Sequence, residues 1–284
     1  MRLGPFDPNN IRVRRGGGGG GLPIGGAGGV GCGTIVIALI AYFVFGADPS
    51  QFLGGTPTTD QGGYSSSQTG VTGAQICKDN QYATEACNAL SSLNSTWQPV
   101  FQQAGVAFHQ PELVFYQGGT ASGCGAASAA MGPFYCPQDE GIYIDTSFYD
   151  ELNRKLGAGP GDFARYYVIA HEYGHHVQKL TGVADSIASA QQQNPRRANQ
   201  LQVMMELQAD CYAGVWAGKN RNLIEPGDFE EGMQAASAIG DDTLTHGSVS
   251  PDKFTHGTSA QRMQALRLGM QSADDNQCDS IVQS

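Results

Sequence analysis

The stretch VIAHEYGHHVQ, Val168 to Gln178, packs three histidines and one glutamate into six positions. No other feature restricts the fold as much. His171 and His175 are four apart, so a helix puts them on one face. Glu172 lies beside His171 and can reach the same side. This is H-E-x-x-H, in which two imidazoles bind zinc and the glutamate serves as general base. Two imidazoles leave such a site unfinished, so the fold must deliver a further ligand from another element. His176 lies about 100° around the helix from His175 and is expected to pack behind the site or support it.

The flanks favour a helix. GAGPGD is a breaker cluster ending in Asp162, a residue suited to the N-cap. The run then proceeds without proline to Gly182, which can close it. The third ligand is sought in ANQLQVMMELQADCYAGVWAG, which reads as a second helix from about Arg197 to Trp216. Glu206 and Asp210 are four apart there, among Leu201, Val203, Met204, Met205 and Leu207, so both acids sit in a segment suited to burial. Glu206 can bind the metal while Asp210 accepts a hydrogen bond from the far nitrogen of a ligating histidine, which fixes its tautomer. The rival third ligands are His246 and His256, each just before a glycine. His256 can instead stabilise the oxyanion of a tetrahedral intermediate. A helix is expected to begin near Ser259, with Arg262 one turn in, where it could steady His256 or hold developing charge.

The front of the chain is of another kind. Residues 16–47 carry no charge, and TIVIALIAYFVF, Thr34 to Phe45, is almost wholly apolar. Extended backward, the run exceeds the ~20 residues that span a bilayer, and a transmembrane signal anchor is expected over 24–46. Four arginines precede it, so the positive-inside rule makes residues 1–23 a cytoplasmic tail and places the body outside. A cleaved signal peptide is the rival, but FVFGADPS offers a poor cleavage site. Residues 47–75, rich in Gly, Ser, Thr and Gln, read as a flexible linker, and residues 76–284 as the folded domain. Beyond residue 46 there are 12 basic residues against 25 acidic, a net charge of −13. Such a surface is a poor match for nucleic acid, and no nucleic-acid partner is expected.

Six cysteines lie in that domain: Cys77, Cys87, Cys124, Cys136, Cys211 and Cys278. An even number fits a disulfide framework in an oxidising compartment. Short loops suggest Cys77–Cys87 and Cys124–Cys136, which leaves Cys211–Cys278. A helix is expected near Leu90–Gln103, and strands in PELVFYQG and GIYIDTSF. The Gly- and Ala-rich stretch between the strands is expected to be irregular. The second half reads as helical, which gives an α+β domain.

Taken together, SGCGAASAAMGPFYCPQDEGIYID, GDFARYYVIAHEYGHHVQ, ELQADCYAGVWA and FTHGTSAQR resemble the predicted neutral zinc metallopeptidases of bacteria, the YpfJ-like family. The resemblance covers most of the chain from about Ile76 to Cys278. It implies a mainly helical, zincin-like metallopeptidase domain with a small sheet and one zinc ion per chain. His171, His175 and Glu206 would be ligands, Glu172 the catalytic acid/base, and Asp210 the residue that orients a histidine. The expected partner is a peptide or protein substrate, and the expected place is the bacterial inner membrane, with the domain outside the cytoplasm. The rival reading is a non-catalytic envelope binding protein stiffened by zinc and disulfides.

Overall fold

The computed structural model describes residues 1–17, 71–150 and 161–283. Strand β1, Arg12–Arg15, is followed by a single helical turn at Gly73–Ile76 and by helix α1, Gln81–Ala104. Asn80 caps α1 by accepting from the Ala83 N–H, and Gly105 ends it in the left-handed region at φ +69°. The cap at Asn80 starts α1 nine residues before the expected Leu90.

Strands β2 (Glu112–Tyr116), β3 (Gly119–Ser122), β4 (Gly125–Ser128), β5 (Phe134–Cys136) and β6 (Gly141–Asp145) come next. The main sheet runs β1-β2-β6-β5, and β3 pairs only with β4. β2 is parallel to both β1 and β6, with Leu113 opposite Val13 and Ile142. ELVFY and GIYID are covered on both faces and therefore apolar without alternation. β5 closes the other edge in antiparallel pairing with β6. The stretch expected to be irregular is thus mostly a hairpin and a strand. Gly and Ala side chains fill little space there, but cross-strand pairing satisfies the backbone, a gain that propensity does not register.

Helices α2 (Asp162–Leu180), α3 (Val183–Gln193), α4 (Ala198–Lys219), α5 (Asp228–Ala238) and α6 (Ser259–Ser272) make up the second half. The domain is mainly helical with a small sheet. α2 is buried on nearly every side and packs against α1, α4 and α5. Its N-cap is Gly161, not Asp162, which is the first helical residue. Gly182 follows its last turn at φ +78°. α4 and α6 form the closest helix pair, and a Cβ added at Gly214 or Gly269 would run into the partner's backbone. The three disulfides are Cys77–Cys87, Cys124–Cys136 and Cys211–Cys278, the pairing that loop length suggested.

Residues 1–17, part of the segment read as a cytoplasmic tail, lie against the body. Met1 is buried, and Leu3, Phe6, Ile11 and Val13 pack against the main core. The ordered body also includes the turn at Gly73, within the segment read as linker. The expected anchor, residues 24–46, and the linker through residue 70 lie outside the described residues. Among the described residues, no helix is long and apolar enough to cross a membrane.

Candidate metal centre

The site lies where α2 crosses α4. Gly174, inside the H-E-x-x-H stretch, permits the crossing, because a Cβ there would come within 2.8 Å of the Ala209 backbone. That close approach sets His171 and His175 against Glu206. One donor atom from each of the three lies within 4.8 Å of the others. His171 Nε2 is 3.2 Å from Glu206 Oε2, and His175 Nε2 is 3.6 Å from Glu206 Oε1. Two imidazole nitrogens and a carboxylate are a donor set that suits zinc and leaves room for a further ligand.

Each of these side chains is held from behind. His171 Nδ1 donates to Asp210 Oδ1 at 2.8 Å, which turns its Nε2 toward Glu206. His175 Nδ1 donates to Gln178 Oε1 at 2.8 Å, and Gln178 is itself fixed by donating to the Met205 carbonyl at 2.7 Å. Gln202 donates to Glu206 Oε1 at 3.0 Å. Asp210 also accepts from the Tyr167 hydroxyl at 2.5 Å and from Arg262. Arg262 is therefore spent on Asp210 and the Ile239 carbonyl, behind the site. It does not brace His256, the role that its place one turn into α6 suggests.

Charge follows this wiring. Burial disfavours an imidazolium at His171, but Asp210 and Glu206 outweigh it and raise the pKa to about 10. Burial would raise Asp210, yet Arg262 and His171 hold it down at about 2. Glu206 stays well below the ordinary carboxylate range, despite burial, because His175 and His171 face it. The pocket is thus built around positive charge, which a divalent ion can supply in place of protons.

Glu172 is 8% exposed, and burial pushes its pKa up against the opposing pull of His171 and His175. Its carboxylate makes no hydrogen bond among the described residues. His256 is buried, with Nδ1 3.1 Å from Asp241 Oδ1. Asp241 Oδ2 also accepts the backbone N–H of Thr255, His256 and Gly257. His256 is near enough to Glu206 to contribute to lowering its pKa. Of the other histidines, His246 is exposed at φ +49°, and the His109 ring pairs with Glu140. Neither belongs to the three-residue cluster. His176 is buried, accepting from the Tyr135 hydroxyl at 3.0 Å and donating to the His109 carbonyl at 2.8 Å.

Tyr167, Gln178, Gln202 and Asp241 were missed in the sequence. Tyr167 and Gln178 had a signal: they sit four before His171 and three after His175, within reach on a helix. Asp241 had none, since only the turn of chain between α5 and α6 brings it to His256.

The H-E-x-x-H stretch on α2 and the carboxylate pair on α4 bring together a donor set suited to a metal ion. The chain belongs to the family described as "Putative neutral zinc metallopeptidase", whose model matches residues 6–281. It is 43% identical over 256 residues to the "Uncharacterized protein YpfJ" of Escherichia coli K12, an alignment covering 88% of this chain and 86% of that protein. It is 39% identical over 206 residues to the "Uncharacterized protein Rv2575" of Mycobacterium tuberculosis, covering 67% of this chain and 68% of that protein. No solved structure matches the chain.

Proposed function

We propose that the protein is a zinc-dependent endopeptidase of the cell envelope, with His171, His175 and Glu206 as ligands of one zinc ion. The observation that carries this reading is the pairing of the cluster with Glu172, which is 8% exposed, makes no side-chain hydrogen bond among the described residues and is not one of the sealed, unpartnered polar groups. A purely structural zinc site has no use for such a group. Zinc held there supplies Lewis-acid activation of water and of the scissile carbonyl. Glu172 takes the proton from water and passes it to the leaving amine. His256, held at Nδ1 by Asp241, offers Nε2 to the carbonyl oxygen as charge develops. Asp210 and Gln178 keep the two imidazoles aimed.

The sheet supports a peptide substrate. β5 is its terminal strand, and Tyr135 on that strand hydrogen-bonds His176, the neighbour of His175. An extended peptide added to this edge would run beside α2. The three disulfides favour an extracytoplasmic domain.

The test is bound zinc per chain in purified protein, together with turnover of a peptide library. The parent is expected to hold one equivalent and cleave peptides. Glu206→Ala should lose the metal, and Glu172→Gln should keep it but lose turnover. A folded parent that takes up no offered zinc would sink the reading.

A further inference from the structure

Contacts between residues 1–16 and the body recur from Met1 to β1. The Met1 amine lies 2.8 Å from Asp162 and 2.7 Å from Asp228, and the Arg2 N–H donates to the Leu223 carbonyl. Phe6 N–H donates to Asn88 Oδ1 at 2.9 Å, and Asp7 N–H to Ser91 Oγ at 3.1 Å. Asn10 donates to the Ser91 carbonyl and Ser95, while its own carbonyl accepts from Asn94 at 2.7 Å. β1 then lies parallel to β2 in fixed register.

All four arginines of this segment meet the body: Arg2 with Glu225 at 3.2 Å, Arg12 with the Gln110 carbonyl, Arg14 with Glu112 at 2.6 Å, and Arg15 with Asp79 at 2.6 Å. These are the charges that would otherwise keep the segment cytoplasmic, and the acidic body pairs most of them. The grip reads particular side chains over α1, β2 and the start of α2, which a passive tail would not need.

We propose that this face of the domain is a binding site for residues 1–16 of the same chain, and that those residues share one side of any membrane with the metal centre. A single crossing between residues 17 and 71 is incompatible with the docked state. The inference does not depend on the chemistry at the metal centre.

The test uses the full chain in its own membrane, in a Cys32→Ser background. A Cβ at Gly73 would lie 3.3 Å from the Val13 Cβ, near the ~3.5–4.5 Å that a disulfide takes. In the double variant Val13→Cys/Gly73→Cys, mild oxidation is expected to link the two introduced thiols within one chain in most molecules, read as a cross-linked peptide by mass spectrometry. Separately, Asn9→Cys and Asp252→Cys, both at exposed positions, should react with a membrane-impermeant maleimide from the same side. Labelling from opposite sides would overturn the proposal. So would the absence of the introduced link in protein whose native disulfides are intact, or a link that forms only between chains.

Discussion

Asp210 Oδ1 stands 2.8 Å from Nδ1 of His171, on the side of the ring away from Glu206. The ring is therefore aimed before any ion arrives, and the same carboxylate is pinned by Tyr167 and Arg262. The cluster is a layered assembly in which donors, orienting groups and a buried cation each depend on the next.

Asp210→Asn is expected to weaken zinc binding about 10–100-fold, the usual effect of losing a partner behind a ligating histidine. Competition with a chelator of known affinity measures it. Unchanged affinity would mean that His171 needs no orienting carboxylate.

Arg262 is 1% exposed and carries its charge into the core. Arg262→Met should leave Asp210 short of its buried partner and cost about 3–5 kcal/mol in urea unfolding. Adding Asp210→Asn should recover part of that loss. Strictly additive effects would show that the two side chains are not coupled.

The α4–α6 contact is set by backbone touching backbone. Gly214→Ala and Gly269→Ala should each cost about 1–3 kcal/mol through overpacking, seen as a fall of several degrees in Tm. Gly4→Ala, where an added Cβ meets nothing within 4 Å, is the control and should leave Tm unchanged.

Burial depresses the His176 pKa to about 4, against the help its Nε2–H receives from the His109 carbonyl. The folded state keeps this ring neutral, whereas the unfolded chain protonates it near pH ~6.5. The stability it contributes is thus present above that pH and is lost as pH falls toward 4, by roughly 3 kcal/mol in total. The stability gap between the parent and His176→Gln should narrow between pH 7 and pH 5. A constant gap would refute the buried neutral ring.

Much of the cluster was legible because it is local. His171, His175, Glu206 and Asp210 are related by helical spacing, and two helices with marked ends suffice to propose them. What was hidden depends on contacts distant in sequence. Arg262 was seen one turn into its helix, but not that α4 lies against it through Gly214 and Gly269. Asp241 reaches His256 only through a turn. The arginines of residues 1–16 were read by charge alone, as a membrane signal, because nothing local shows that Glu112, Asp79 and Glu225 wait for them. Likewise, the Ala-rich hairpin has little strand propensity and forms because its pairing partner is adjacent.

The bridge from Cys211 to Cys278 has a consequence for timing. Cys211 directly follows Asp210, and its partner lies 67 residues further on, beyond the helix that carries Arg262. A chain still emerging from the ribosome already exposes His171, His175 and Glu206. It holds neither the cation that steadies Asp210 nor the covalent tie beside it. The last stretch to be made finishes the centre, so a nascent chain has its donors before it has their final supports.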